Sequence, residues 1–273
     1  MTKEISLTEV QSVGLDILNH FHAFCVNHNI KYSLGYGTLI GAIRHHGFIP
    51  WDDDVDVVML REDFDKFCHL YEDSVKFKLF APNRKNTYSA CARLCEIQNT
   101  RVKTDTPLFT EETGIWIDIF PLDPVSDNKN EFAHMVNEAI SSFDLIQTKR
   151  YIMQPWYKQV SGLRSLYGLI RRKWLFRRSI FDYVNEHVKL ITAFSSQDTK
   201  MMSQLSVPDM GDREYYSKSL FQDVIEVMFE NSKLFVMNGY DECLRIAYGD
   251  YLQLPPKEQQ ERGHTYHKYY WKD

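Results

Sequence analysis

The chain has 273 residues, 44% of them hydrophobic and 25% charged, with a formal net charge of −5. This suits a soluble globular protein of one large domain, or a core domain with an insertion, and it excludes intrinsic disorder. No apolar run reaches the ~18–20 residues that cross a bilayer, and the mild acidity argues against nucleic acid as a partner.

The average charge hides an asymmetry. Residues 145–181 hold nine Lys/Arg and no Asp or Glu, so the remaining chain carries 23 basic and 37 acidic residues. The five cysteines, Cys25, Cys68, Cys91, Cys95 and Cys243, have no C-x-x-C pair and read as buried free thiols. The N-terminal residues show no apolar signal region, so a reducing cytoplasm is the expected location.

In chain order, Ser6-Leu7-Thr8-Glu9 has capping-box spacing, and apolar residues at helical intervals follow, predicting a helix over about 8–28. Tyr32 to Leu34 reads as a short strand running into the glycine turn Gly35-Tyr36-Gly37-Thr38, and Leu39 to Ile43 continues as a helix. Asp54 to Met59 alternates acid and aliphatic residues, a strand with carboxylates on one face. Glu62 to Tyr71 reads as helix, and Phe77 to Phe80 and Ala90 to Glu96 as strands. Gly114 to Phe120 reads as a strand that stops at Pro121. Residues 129–205 look helix-rich. Ile225–Phe229 and Lys233–Val236 suit a hairpin, and Asp241 to Tyr248 a helix ended by Gly249. The pattern is α+β: a catalytic core over residues 1–124 with a mixed sheet around 30–120, a helical, basic insertion over 125–215, and a strand-helix segment over 216–273 that returns to the core.

The chemistry concentrates in Trp51-Asp52-Asp53-Asp54-Val55-Asp56. Four carboxylates in five residues repel one another, a cost that a divalent cation removes. Asp54 and Asp56 share one face of a strand at roughly 6–7 Å, a spacing that suits a hard cation such as Mg2+ or Mn2+ completed by phosphate oxygens. An EF-hand is excluded because Val57 stands where its loop needs glycine and Asp63 where it needs glutamate. A dinucleotide fingerprint is excluded because the last glycine of Gly35-Tyr36-Gly37-Thr38-Leu39-Ile40-Gly41 falls one residue too late. The turn retains a use: Gly35 and Gly37 allow close backbone approach, and a helix starting at Thr38 presents N–H groups to a phosphate. Asp118, on a later strand, fits as a third acid, catalytic and metal-ligating with Asp54 and Asp56. A glycine turn, a strand-borne pair of acids and a third acid together follow the nucleotidyltransferase layout.

These residues carry a resemblance. Gly35-x-Gly37-Thr38-Leu39-Ile40-Gly41-Ala42-x-Arg44-His45-x-Gly47-Phe48-Ile49-Pro50-Trp51-Asp52-Asp53-Asp54-Val55-Asp56 resembles the signature of the LicD family. Asp118 to Asp123 resembles its second block, and Tyr248-Gly249-Asp250-Tyr251 with Leu254-Pro255-Pro256 and His264 its C-terminal block. The resemblance implies a nucleotidyltransferase-like fold and transfer of phosphocholine from CDP-choline to a sugar hydroxyl of teichoic acid or lipopolysaccharide, with release of CMP. Fukutin-like relatives imply the alternative of ribitol or another alcohol phosphate, and a catalytically silent membrane-associated protein is a reading from another class. Donor binding then falls to Gly35, Gly37, Thr38, Arg44, Asp53, Asp250 and His264, with Arg44 as a phosphate clamp. Asp52 and Asp53 would act behind the ligands or meet the quaternary ammonium of choline. That cation also favours aromatic cages, for which Trp51, Trp116, Tyr248 and Tyr251 are the candidates.

The basic segment adds a partner. Arg164, Arg171 and Arg178 repeat every seven residues beside Tyr167, Trp174 and Phe181. Over 163–181 this is a cationic stripe flanking an aromatic one, suited to peripheral contact with an anionic membrane that carries a lipid-linked glycan acceptor. An amphipathic helix packed on the acidic core is the alternative.

Overall fold

The computed structural model describes residues 3–154, 177–260 and 267–272. Its first helix, α1 (Leu7–Asn27), begins at Ser6, whose hydroxyl accepts from the Glu9 N–H while the Glu9 carboxylate takes the Ser6 N–H. After β1 (Ser33–Leu34), α2 (Tyr36–Arg44) starts with Gly35 as its cap, two residues earlier than the turn suggests. β2 (Asp56–Leu60) runs directly into α3 (Arg61–Leu70), and β3 (Phe77–Phe80), β4 (Ala92–Glu96), β5 (Thr100–Lys103) and β6 (Trp116–Val125) follow. Then come α4 (Lys129–Met153), α5 (Ile180–Ile191), β7 (Met201–Ser203), β8 (Tyr216–Ser217), the hairpin β9 (Val224–Phe229) and β10 (Ser232–Met237), α6 (Tyr240–Tyr248) and β11 (Lys268–Trp271). The architecture is mixed α/β, with six α-helices among the described residues.

Five strands form the main path of the central sheet in the order β1-β2-β6-β4-β3, and β7 and β8 extend it beside β6. β2 and β6 are parallel, while β1, β4 and β7 pair antiparallel with their neighbours. β6 alternates: Ile117 and Ile119 are buried in the core, while Trp116, Asp118 and Phe120 turn to the other face, half-buried. Helix α1 packs against β4 and β6, and α3 against β2 and β6. Val57, Ile117, Ile119, Leu94, Ile17 and Phe21 belong to one buried cluster.

Three expectations change. β6 does not stop at Pro121 but runs on to Val125. The Asp118 N–H donates to Val55 on the β2 side, so the nitrogen of Pro121, three residues on, faces the opposite edge. There β4 has ended, its last partner being Ile119, and β7 has not begun, its first being Asp123. A proline fits where no neighbour needs an N–H. Second, the helix-rich stretch closes with a strand, because β7 supplies the partner that the far end of β6 requires. Third, β5 pairs with β11, so the polar, aromatic tail also contains a strand.

Most of the cationic 163–181 stripe lies outside the described residues. Of its described members, Arg178 makes a bidentate pair with Glu186 at 3.0 and 2.6 Å, and Phe181 packs against Tyr88. No helix among the described residues is long and apolar enough to cross a membrane. All five cysteines are buried free thiols.

Candidate active site

The acidic block lies at the sheet, where one row of side chains crosses three strands. Parallel pairing sets Asp56 opposite Asp118, and antiparallel pairing sets Arg93 of β4 opposite the same Asp118. Arg93 Nε lies 2.6 Å from Asp118 Oδ1, a charge contact outside hydrogen-bond alignment. Trp116 Nε1 donates to Asp118 Oδ2 at 2.9 Å. Burial would lower the Arg93 pKa, but the Asp118 charge outweighs it and holds the guanidinium above its usual range.

The glycine turn fixes the other acid. The Gly35 N–H donates to the Asp56 carbonyl, and the Asp56 N–H donates to Thr38 Oγ1, each at 2.9 Å. Thr38 is buried and holds the Asp56 backbone rather than reaching into the cavity. Gly37 does line the cavity, and a Cβ there would stand 2.6 Å from Asp52 Oδ2. A side chain at position 37 would displace the Asp52 carboxylate from that place. Asp53 is buried and accepts from the Tyr269 hydroxyl at 3.4 Å.

Asp52, Asp53, Asp54, Asp56, Arg93 and Asp118 line one cavity of about 650 Å³. Burial raises the Asp56 pKa well above its normal range. Asp54, Asp118 and Asp52 push it further up, and Arg93 only partly opposes them. The site therefore carries more negative charge than its own guanidinium balances.

Among the described residues, no three imidazole, thiol or carboxylate groups converge as a ready-made metal cage. Asp118 is engaged by Arg93 and Trp116, and Asp54 and Asp56 bring hard carboxylate oxygens to the same cavity. This donor set fits Mg2+, which is commonly held by one or two carboxylates together with substrate phosphates. The excess negative charge around Asp56 is the sign of the fit.

Other expected residues lie elsewhere. Arg44 does not line the cavity; its Nη1 donates to the carbonyls of Tyr251 and Gln253 at 2.7 and 3.2 Å, clasping the C-terminal segment. Asp250 is exposed and away from the cavity, and His264 is outside the described residues. Gly35 sits behind the site as the helix cap. Of the candidate aromatics, Trp116 and Tyr248 line the cavity, whereas Trp51 packs on the core and the Tyr251 hydroxyl donates to Asp241.

Sequence reasoning missed Arg93, Tyr36 and Glu214. Arg93 had a signal, being the lone cation in a strand whose other residues up to the terminal Glu96 are apolar. Glu214 is 178 residues from its partner Tyr36, whose hydroxyl donates to Glu214 Oε1 at 2.7 Å. No local pattern announces that contact. Helix α4 closes the cavity with Phe143, Gln147 and Arg150, so part of the basic segment reaches the site.

A mixed α/β protein with register-paired carboxylates and a guanidinium on the wall of one cleft defines a class with a strongly charged ligand site. This chain belongs to the LicD family. Residues 29–160 match the family described as LicD/FKTN/FKRP, nucleotidyltransferase domain. The lipopolysaccharide cholinephosphotransferase LicD of Haemophilus influenzae is 31% identical, over 98% of this chain and 99% of that protein. An uncharacterized protein of Rickettsia prowazekii is 33% identical over 29% of each chain. One of Rickettsia typhi is 32% identical over 34% of this chain and 30% of its own. The first match spans Glu214 and Tyr248 as well as the acidic block.

Proposed function

We propose that this protein is a phosphotransferase of nucleotidyltransferase-like fold. It moves phosphocholine from CDP-choline to a sugar hydroxyl of a lipid-linked glycan, with lipopolysaccharide as the acceptor class, and releases CMP. The observation that carries this reading is the end-to-end similarity to a lipopolysaccharide cholinephosphotransferase, in a chain whose acids and Arg93 line one cleft.

In this reading the acceptor oxygen forms a bond to the phosphorus that bears choline, and the bond from that phosphorus to the CMP oxygen breaks. The hydroxyl proton passes to the surrounding carboxylates. Asp54 and Asp56 would hold Mg2+ or Mn2+, and the bound ion supplies charge neutralisation on the diphosphate. Little covalent work falls to the protein, so positioning and electrostatics set the rate. Arg93, fixed by Asp118, meets charge on the phosphoryl oxygens, for which a guanidinium fork is suited. Gly37 and the N-terminus of α2 face the same space. Phe143, Gln147 and Arg150 of α4 line the wall that we assign to the acceptor.

The test is CMP release from purified protein with CDP-choline, Mg2+ and a lipid-linked saccharide. Release that depends on both donor and acceptor supports the reading. Release with CDP-ribitol or CDP-glycerol but not CDP-choline overturns the choice of donor.

A further inference from the structure

One end of the cavity is unlike the rest. Tyr36, Phe120, Glu214 and Tyr248 line it together. Tyr36 packs edge-on against Phe120 at 5.5 Å between ring centroids. Tyr248 is 41% exposed although it forms part of a cavity wall, so its ring is available to a ligand. Tyr36 has a φ of +45°, a conformation that a bulky side chain adopts at a cost, and its hydroxyl is anchored on Glu214. Strain of this kind persists where surrounding contacts over-determine it, often at ligand sites.

Glu214 is 1% exposed, and no salt bridge among the described residues reaches it. Its pKa is pushed up to about 7, chiefly by burial, with the Tyr36 hydroxyl pulling it down, Asp209 adding to the rise and Arg213 opposing it. Tyr216 and Tyr248 are the other titratable groups sharing its field. The Tyr248 hydroxyl is held neutral by burial and by the charges of Asp56, Glu214, Asp54 and Asp52. Tyr248 thus shares a cavity with both the acidic block and Glu214 and lies within the field of each, which favours a cation there.

We propose that Tyr36, Phe120 and Tyr248, with the Glu214 carboxylate behind them, form the pocket for the quaternary ammonium of the donor. The inference rests on phosphocholine being the transferred group. A trimethylammonium has no hydrogen to donate, so aromatic faces and an unmatched carboxylate recognise it where ordinary hydrogen-bonding groups do not. The diphosphate then lies toward Asp54, Asp56 and Arg93, and the short ethyl arm of choline bridges the two ends.

The test compares two donors by calorimetry on the full chain with Mg2+. One is CDP-choline. The other is CDP-3,3-dimethylbutanol, in which carbon replaces the nitrogen, so that shape is kept and charge is lost. The wild type should bind CDP-choline at least about tenfold more tightly. Glu214→Gln keeps an acceptor for Tyr36 and removes only the charge, and Tyr248→Leu removes a ring. Both should collapse the preference for CDP-choline over the neutral donor, and Tyr248→Phe should retain it. A preference that survives in both variants, or equal binding by a wild type that still releases CMP from CDP-choline, overturns the pocket and leaves the function standing. A wild type that releases no CMP from CDP-choline overturns the function itself. Unaltered circular dichroism in each variant excludes misfolding as the cause.

Discussion

Asp56 and Asp118 stand opposite each other on adjacent parallel strands, and Arg93 completes their row from a third strand. The sheet's register, rather than a flexible loop, thereby sets the spacing of the charges. Rigid elements hold such constellations more tightly than loops do.

Asp56→Ala should lower CMP release at least about a hundredfold, since it removes a preorganised charge from the phosphate site. Its circular dichroism should match the wild type. Chelation by EDTA should stop release in the wild type, and added Mg2+ should restore it. Release that persists in EDTA would remove the cation from the reaction.

Arg93→Lys should be far from neutral. A lysine keeps the charge but loses the fork that spans Asp118 and a phosphate. Turnover should fall roughly tenfold to a hundredfold with little change in melting temperature. Arg93→Met should also cost about 2–3 kcal/mol of stability, because the half-buried Asp118 carboxylate loses its cation. Denaturant titration separates the two effects.

Asp123 tests the same strand without touching the cavity. It is fully buried, and Arg61 binds it in a fork at 2.6 and 2.8 Å. Asp123→Ala leaves the buried Arg61 guanidinium with only the exposed Asp65 carboxylate at 3.4 Å, which should cost about 3 kcal/mol by urea titration. Turnover per folded molecule should stay near that of the wild type. A specific loss of turnover would show that Asp123 serves the site directly.

His187 gives a pH dependence of known sign. It is buried on α5, with Nε2 3.2 Å from the Ser206 carbonyl, and burial lowers its pKa to about 4. Above about pH 6.5 the ring is neutral in both folded and unfolded chains and contributes nothing. Between about 6.5 and 4 only the unfolded chain takes up the proton, so stability falls as pH falls. The loss reaches about 3 kcal/mol near pH 4. His187→Gln should flatten this part of the profile relative to the wild type, read as the difference between their unfolding free energies at each pH. Parallel profiles would assign the acid sensitivity to carboxylates instead.

Much of the site was legible because its parts are local. The acidic block, the glycine turn and Asp118 each carry a local pattern and line or border one cavity, although β2 starts only at Asp56, so that Asp54 precedes the strand on which the alternation placed it. Their roles were less legible. Thr38 looks like a phosphate ligand because it follows two glycines, but its hydroxyl is used to hold Asp56. Arg44 looks like a phosphate clamp because it sits in the same block, but it faces the carbonyls of Tyr251 and Gln253. Pro121 reads as a strand end, since the gap that tolerates it depends on where β4 and β7 stop. Glu214 and Tyr36 depend on a tertiary contact that no short window contains.

The pairing of Asp53 with Tyr269, and the Arg44 clasp, join residues more than two hundred positions apart. Contacts of such separation form late, because closing a long loop precedes any gain from the contact. A refolding chain should therefore recover its far-ultraviolet signal before its catalytic competence, with the lag set by docking of the last strand. Enzyme assembly would then be timed by the tail, although the acids lie near the start.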